Sequence, residues 1–97
     1  MPWTNVVACT IRLDTEPQCH EVASGLRMAN GIEISKDGTL VAVVASLDRQ
    51  IILYETNSTD LTARLQEKKR IETRGSCDNL IWADAAHLLS GCHPKPF

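Results

Sequence analysis

The stretch Asn30-Gly31-Ile32-Glu33-Ile34-Ser35-Lys36-Asp37-Gly38-Thr39-Leu40-Val41-Ala42-Val43-Val44-Ala45 decides the fold. Ile32 and Ile34 are spaced by one residue, the period of a strand. Ser35-Lys36-Asp37-Gly38 then supplies turn chemistry: a short hydrogen-bonding side chain at Asp37 and a residue free to take positive φ at Gly38. An apolar run follows from Leu40 to Ala45, of strand length. The two runs are therefore expected to pair as an antiparallel hairpin, with Ile32 and Ile34 against Val41 and Val43.

Outward from this hairpin the same grammar repeats. Leu47-Asp48-Arg49-Gln50 connects the central run to Ile51-Ile52-Leu53-Tyr54, and the polar loop Thr56-Asn57-Ser58-Thr59-Asp60 leads on to a further segment. That segment contains the helix formers Ala63, Leu65, Gln66, Glu67, Lys68 and Lys69, yet its apolar positions do not recur at helical spacing. It reads as a charged outer strand over 64–72 whose lysines discourage edge-to-edge pairing. The result is a four-strand antiparallel meander over 31–72. Further candidate strands fall at 5–10, 19–24, 79–83 and 87–92, so the chain reads as all-β.

Asn30-Gly31-Ile32-Glu33-Ile34 is echoed by Asn79-Leu80-Ile81-Trp82-Ala83, forty-nine positions later. A period of about 40–50 residues is that of propeller blades. The chain is therefore expected to be one partial β-propeller domain over 1–97. It would hold the end of one blade (1–28), a complete four-stranded antiparallel blade (29–73) and the start of the next (74–97).

The charge of -2 and the pI near 5.8 leave no basic face, which argues against nucleic acid as a partner. No apolar run approaches the eighteen residues of a transmembrane segment, and Met1-Pro2-Trp3-Thr4-Asn5 has neither the basic nor the apolar region of a signal peptide. Cys9, Cys19, Cys77 and Cys92 lack the close pairing of a zinc site. Four cysteines in an oxidising compartment allow three disulfide connectivities; the reading preferred here makes most of them small buried core residues.

In a propeller, a polar residue at the head of a blade's innermost strand points at whatever fills the central channel. Asn30 and Asn79 hold that place, and Asp78 adds a carboxylate. Carboxamide and carboxylate oxygens are hard donors that suit calcium, although an asparagine after a turn is more commonly a turn or cap residue. Ser24, Ser46 and Ser90 lack the elbow motif of a serine hydrolase. His20 and His87 read as surface histidines, and Trp3, Trp82 and Tyr54 as packing residues.

Asn5-Val6-Val7, Val22-Ala23-Ser24-Gly25-Leu26, Ala29-Asn30-Gly31-Ile32, Asp37-Gly38, Tyr54-Glu55, Asp78-Asn79-Leu80 and Gly91-Cys92-His93-Pro94 occur in an ordered set covering Trp3 to Pro96. In order and spacing this set resembles the paraoxonase/arylesterase family of six-bladed propellers. Gluconolactonase-like and strictosidine-synthase-like propellers share the blade opening but lack the D-N-L and G-C-H-P motifs together. The resemblance implies a calcium-dependent hydrolase of aryl esters or lactones. Asn30, Asp78 and Asn79 would be calcium ligands and His93 would lie near the substrate pocket. It also implies an extracellular or secretory location.

By the same resemblance, the chain would supply less than a third of the ring; the remaining ligands and the histidine bases would lie in earlier blades. It would then be inactive alone, with exposed blade edges open to self-association. The alternative is a non-catalytic truncated propeller or interaction module. Three places depart from the family pattern. Lys36 stands where proline is usual; the turn Asp84-Ala85-Ala86-His87 is short and lacks a glycine; and the loop 11–18 is unlike the family's, leaving Cys9 and Cys19 without a role. Cys92 matches a family cysteine that is ordinarily unpaired.

Overall fold

The computed structural model describes residues 3–94; Pro96 and the outer limits of the expected domain, 1 and 97, lie outside the described residues. Eight strands follow in order: β1 (Trp3–Thr10), β2 (Gln18–Arg27), β3 (Ala29–Ile34), β4 (Leu40–Ala45), β5 (Gln50–Glu55), β6 (Gln66–Glu72), β7 (Ser76–Trp82) and β8 (Leu88–His93). They form three antiparallel sheets, β1-β2, β3-β4-β5-β6 and β7-β8. One four-stranded blade thus lies between two two-stranded half-blades, and no α-helix occurs among the described residues.

The hairpin read from the sequence is present, with Ile32 opposite Val43 and Ile34 opposite Val41. Gly38 turns the chain at φ +78°, where an L side chain would be strained. The Asp37 carboxylate secures the turn by accepting from Ser35 Oγ at 2.8 Å, Thr39 N at 3.0 Å and Thr39 Oγ1 at 2.7 Å. Between β4 and β5, a 3₁₀ turn over Ser46–Asp48 ends at Arg49 in the left-handed region.

β4 is buried on both faces, which explains why its sequence is a continuous apolar run and not an alternation. Val41, Val43 and Ala45 join Ile52 and Tyr54 in a cluster with Ala23 and Leu26 of β2. Ala42 and Val44 turn the other way, joining Ile51 and Cys77. Each fully buried Val or Ile contributes roughly 1.5–3 kcal/mol relative to exposure. This alternation makes β4 the element that locks both half-blades to the central sheet. On one side the docking is reinforced by a backbone bond from Leu65 N to Val22 O at 2.8 Å and by Arg64 donating to Ser24 Oγ at 2.6 Å. The charged strand β6 is exposed at all seven positions.

Three expectations need correction. β7 begins at Ser76 and not at position 79, because Ser76 and Cys77 pair with His93 and Cys92 of β8. The outer strand begins at Gln66 and not at 64, the preceding loop being held by local turns around Asn57 and Asp60. The cysteines are not free core residues: Cys9 is bonded to Cys19 and Cys77 to Cys92. In both cases the strand register sets the two residues directly opposite each other, with Cα atoms 4.0 and 3.9 Å apart. Neither the unlike loop 11–18 nor the short turn after Ala83 prevents that register.

Candidate functional site

Asn30 and Asn79 both sit where an inner strand breaks its ladder. In β3, Ala29 pairs with Ala45 and Gly31 with Val44, so Asn30 is an extra residue with no partner opposite. In β7, Asp78 pairs with Gly91 and Ile81 with Leu89, so Asn79 and Leu80 face Ser90 alone. Such bulges re-aim side chains and recur beside active sites. Asn79 takes φ +56°, a left-handed conformation that asparagine tolerates better than most residues. Ser90 Oγ fixes this bulge by donating to the Asn79 carbonyl at 2.6 Å, with the Asp78 carbonyl 3.2 Å away. Asn79 is thus at a bulge within β7 and not at the head of the strand.

The two bulges touch through Gly31. A Cβ added there would lie 2.8 Å from the Asn79 Cα, so only glycine permits this approach of β3 to β7. Beside the contact lies a cavity of about 120 Å³ lined by Asn30, Asp78, His93, Ser46, Ser76 and Cys77, among others. Three of the four sequence-predicted site residues, Asn30, Asp78 and His93, therefore border one small space. Asn79 is not in its wall; it meets β3 through the backbone contact with Gly31. Asn30, Asp78, Asn79 and His93 are all exposed.

Beneath them the floor is polar and fully paired. Buried Ser46 donates its hydroxyl to the Cys77 carbonyl at 2.6 Å, and Ser76 Oγ donates to the Ser46 carbonyl at 3.2 Å. These two bonds tie the end of β4 to the start of β7. Sequence reasoning missed both serines, because they lack a catalytic motif and their role is visible only once the blades are stacked. In contrast, the side chains of Asn30, Asp78 and Asn79 form no hydrogen bond or ion pair among the described residues. Their oxygens are available to a ligand.

No three His, Cys, Asp or Glu side chains cluster as a metal site among the described residues. A cation held here would rest on two carboxamides and one carboxylate, an all-oxygen set that fits a hard ion such as calcium and not zinc. The other titratable features lie away from this space. His87 Nδ1 stands 2.8 Å from Asp84 on an exposed turn, and the Asp84 carboxyl is lowered first by the Ala86 amide and then by that imidazole.

The model of the Arylesterase family matches residues 1–97, the whole of the chain. The chain belongs to the arylesterase family. Among curated proteins of that kind, it is similar to serum paraoxonase/arylesterase 2 of Gallus gallus, with 29% identity over 96 residues. That match covers 98% of the chain but 25% of the relative, so the chain spans about a quarter of the length of the protein it resembles. Within this arylesterase segment, the A-N-G-I, D-N-L and G-C-H-P motifs are the pieces that meet around the cavity.

Proposed function

We propose that this chain contributes part of a calcium-dependent site for hydrolysing aryl esters or lactones, with Asn30, Asp78 and Asn79 as cation ligands and His93 beside the substrate. The observation that carries this reading is the pair of touching bulges, together with the small cavity beside them that Asn30, Asp78 and His93 border. Asn30 and Asn79 offer carboxamide oxygens, and Asp78 supplies the only formal charge of the three. His93 borders the cavity, where it limits and orients a bound ester. Calcium, when bound, supplies a Lewis acid that polarises the carbonyl and steadies the charge developing on its oxygen.

Calcium ordinarily takes six to eight oxygens, so about three side-chain donors hold it weakly. The site is complete only with the rest of a six-bladed ring, and the 97-residue chain alone is a poor catalyst. The test is hydrolysis of phenyl acetate and of a lactone by this chain and by a longer chain carrying the further blades. Calcium-dependent turnover confined to the longer chain, and reduced in Asn79→Ala, is the expected result. Turnover by the 97-residue chain that Asn79→Ala abolishes would overturn the partial-site reading.

Two further expectations belong to the same proposal. An extracellular or secretory location fits the two disulfides, which persist in oxidising compartments. Self-association of the chain fits its exposed apolar residues, Ile32 and Ile34 on β3 with Ile81 and Leu89 on the β7-β8 half-blade. No helix is long and apolar enough to cross a membrane among the described residues.

A further inference from the structure

We propose that the Cys77–Cys92 disulfide is a thiol-exchange site that sets the cation affinity of the neighbouring ligand group. The proposal rests on the reading of Asn30, Asp78 and Asn79 as ligands. Cys77 immediately precedes Asp78, Cys92 immediately precedes His93, and the two cysteines face each other across β7 and β8. The crosslink therefore lies directly behind two residues that border the cavity, and Cys77 itself forms part of the wall. Among the described residues β8 is paired with β7 alone, and the ladder between them is interrupted by the bulge just past Asp78. A two-stranded ribbon is marginal by itself.

The two half-cystines differ in access. Cys77 is 2% exposed and packs with Ala42, Val44 and Ile51, whereas Cys92 lies in an exposed run. A small thiolate, RS⁻, attacks Cys92 Sγ, forming an R–S–S–Cys92 bond and breaking the Cys77–Cys92 bond. The electron pair leaves on Cys77 Sγ, which takes up a proton. A second RS⁻ attacks the sulfur of the R group, forming RSSR and releasing Cys92 as a thiolate that is protonated in turn. Overall, two thiols RSH are oxidised to RSSR, and the disulfide gains two electrons and two protons.

Reduction leaves the fold intact, because a buried cysteine thiol behaves as a small apolar side chain and the Ser46–Cys77 hydrogen bond uses the backbone carbonyl. What changes is how rigidly Asp78 and His93 are held. Groups that orient metal ligands from behind typically govern about ten- to a hundredfold in affinity. The second disulfide, Cys9–Cys19, joins β1 to β2 and is not part of the cavity wall, so removing it leaves Cys77–Cys92 as the one redox-active pair to be read.

The experiment uses the 97-residue chain carrying Cys9→Ser and Cys19→Ser, oxidised or reduced with glutathione, with the redox state verified by mass. Calcium is titrated while hydrogen exchange of segments 76–79 and 91–93 is followed. The expected result is a calcium midpoint about tenfold higher in the reduced chain, reversed on reoxidation, with Cys92→Ser behaving as the reduced form and indifferent to glutathione. Equal midpoints in the two verified states overturn the redox coupling while leaving the ligand reading standing. Absence of calcium-dependent protection in both states overturns the ligand reading, and the coupling with it.

Discussion

Gly31 of β3 and Asn79 of β7 are in backbone contact across two neighbouring sheets: a Cβ on Gly31 would stand 2.8 Å from both the Cα and the N of Asn79. The residue that follows one candidate ligand thus fixes the position of another. Gly31→Ala must push β3 and β7 apart, at about 1–3 kcal/mol. Gly91→Ala is the control, since a Cβ there meets nothing within 4 Å. Urea denaturation should show a lowered midpoint for the first and little change for the second; equal midpoints would mean the blades do not approach this closely.

Ser46 is the second link between these sheets. Ser46→Ala removes the donor to the buried Cys77 carbonyl and should cost about 1–3 kcal/mol, the range for an unsatisfied buried acceptor. Faster hydrogen exchange should concentrate in β7 and spare β5. Uniform acceleration across all strands would indicate a general loss of stability and no specific tie.

The central hairpin should weaken in acid. The Asp37 carboxyl is lowered first by the Thr39 hydroxyl, then by the Thr39 amide and the Ser35 hydroxyl. A depressed folded pKa means that the carboxylate's contribution is fully present above its ordinary unfolded value, about 4. It is lost as pH falls from there through the folded pKa. The stability difference between the natural chain and Asp37→Asn should therefore shrink below about pH 4. A difference that stays constant from neutral to strongly acid pH would remove Asp37 from the account.

Exposed apolar residues on the blade faces should drive association of the chain. Ile32, Ile34, Ile81 and Leu89 are all about half exposed, from 46% to 57%. Sedimentation should show a concentration-dependent increase in mass, accompanied by binding of a hydrophobic dye, and Ile32→Lys with Ile34→Lys should reduce both. A monodisperse monomer that excludes the dye would contradict this prediction.

Much of the blade was legible because its signals are local. Asp37-Gly38 specifies a turn, and the period-two spacing of Ile32 and Ile34 specifies a strand. The double-sided burial of β4 explains the unbroken Leu40–Ala45 run. Lys68, Lys69 and Arg70 mark an outer strand despite helix-forming neighbours, because sheet pairing with β5 overrides intrinsic propensity. The disulfides were not legible: four cysteines leave three pairings open, and only the register that sets Cys77 opposite Cys92 chooses among them. The bulges were hidden for the same reason, since an extra residue in one strand is defined by its partner. The candidate ligands were found by motif, but Asn79 was placed at the head of its strand. Its position at an internal bulge follows from the earlier pairing of Ser76 with His93.

Calcium-dependent hydrogen exchange of the 97-residue chain, compared with Asn30→Ala, Asp78→Asn and Asn79→Ala, tests the central claim most directly. Calcium should protect segments 28–31 and 76–79 in the natural chain, with a weak midpoint, and each substitution should raise that midpoint. Asp78→Asn should have the largest effect because it removes the only charge. Protection of these segments that persists unchanged when all three residues are substituted, or no calcium protection in the natural chain, would contradict the assignment of the touching bulges as a cation site.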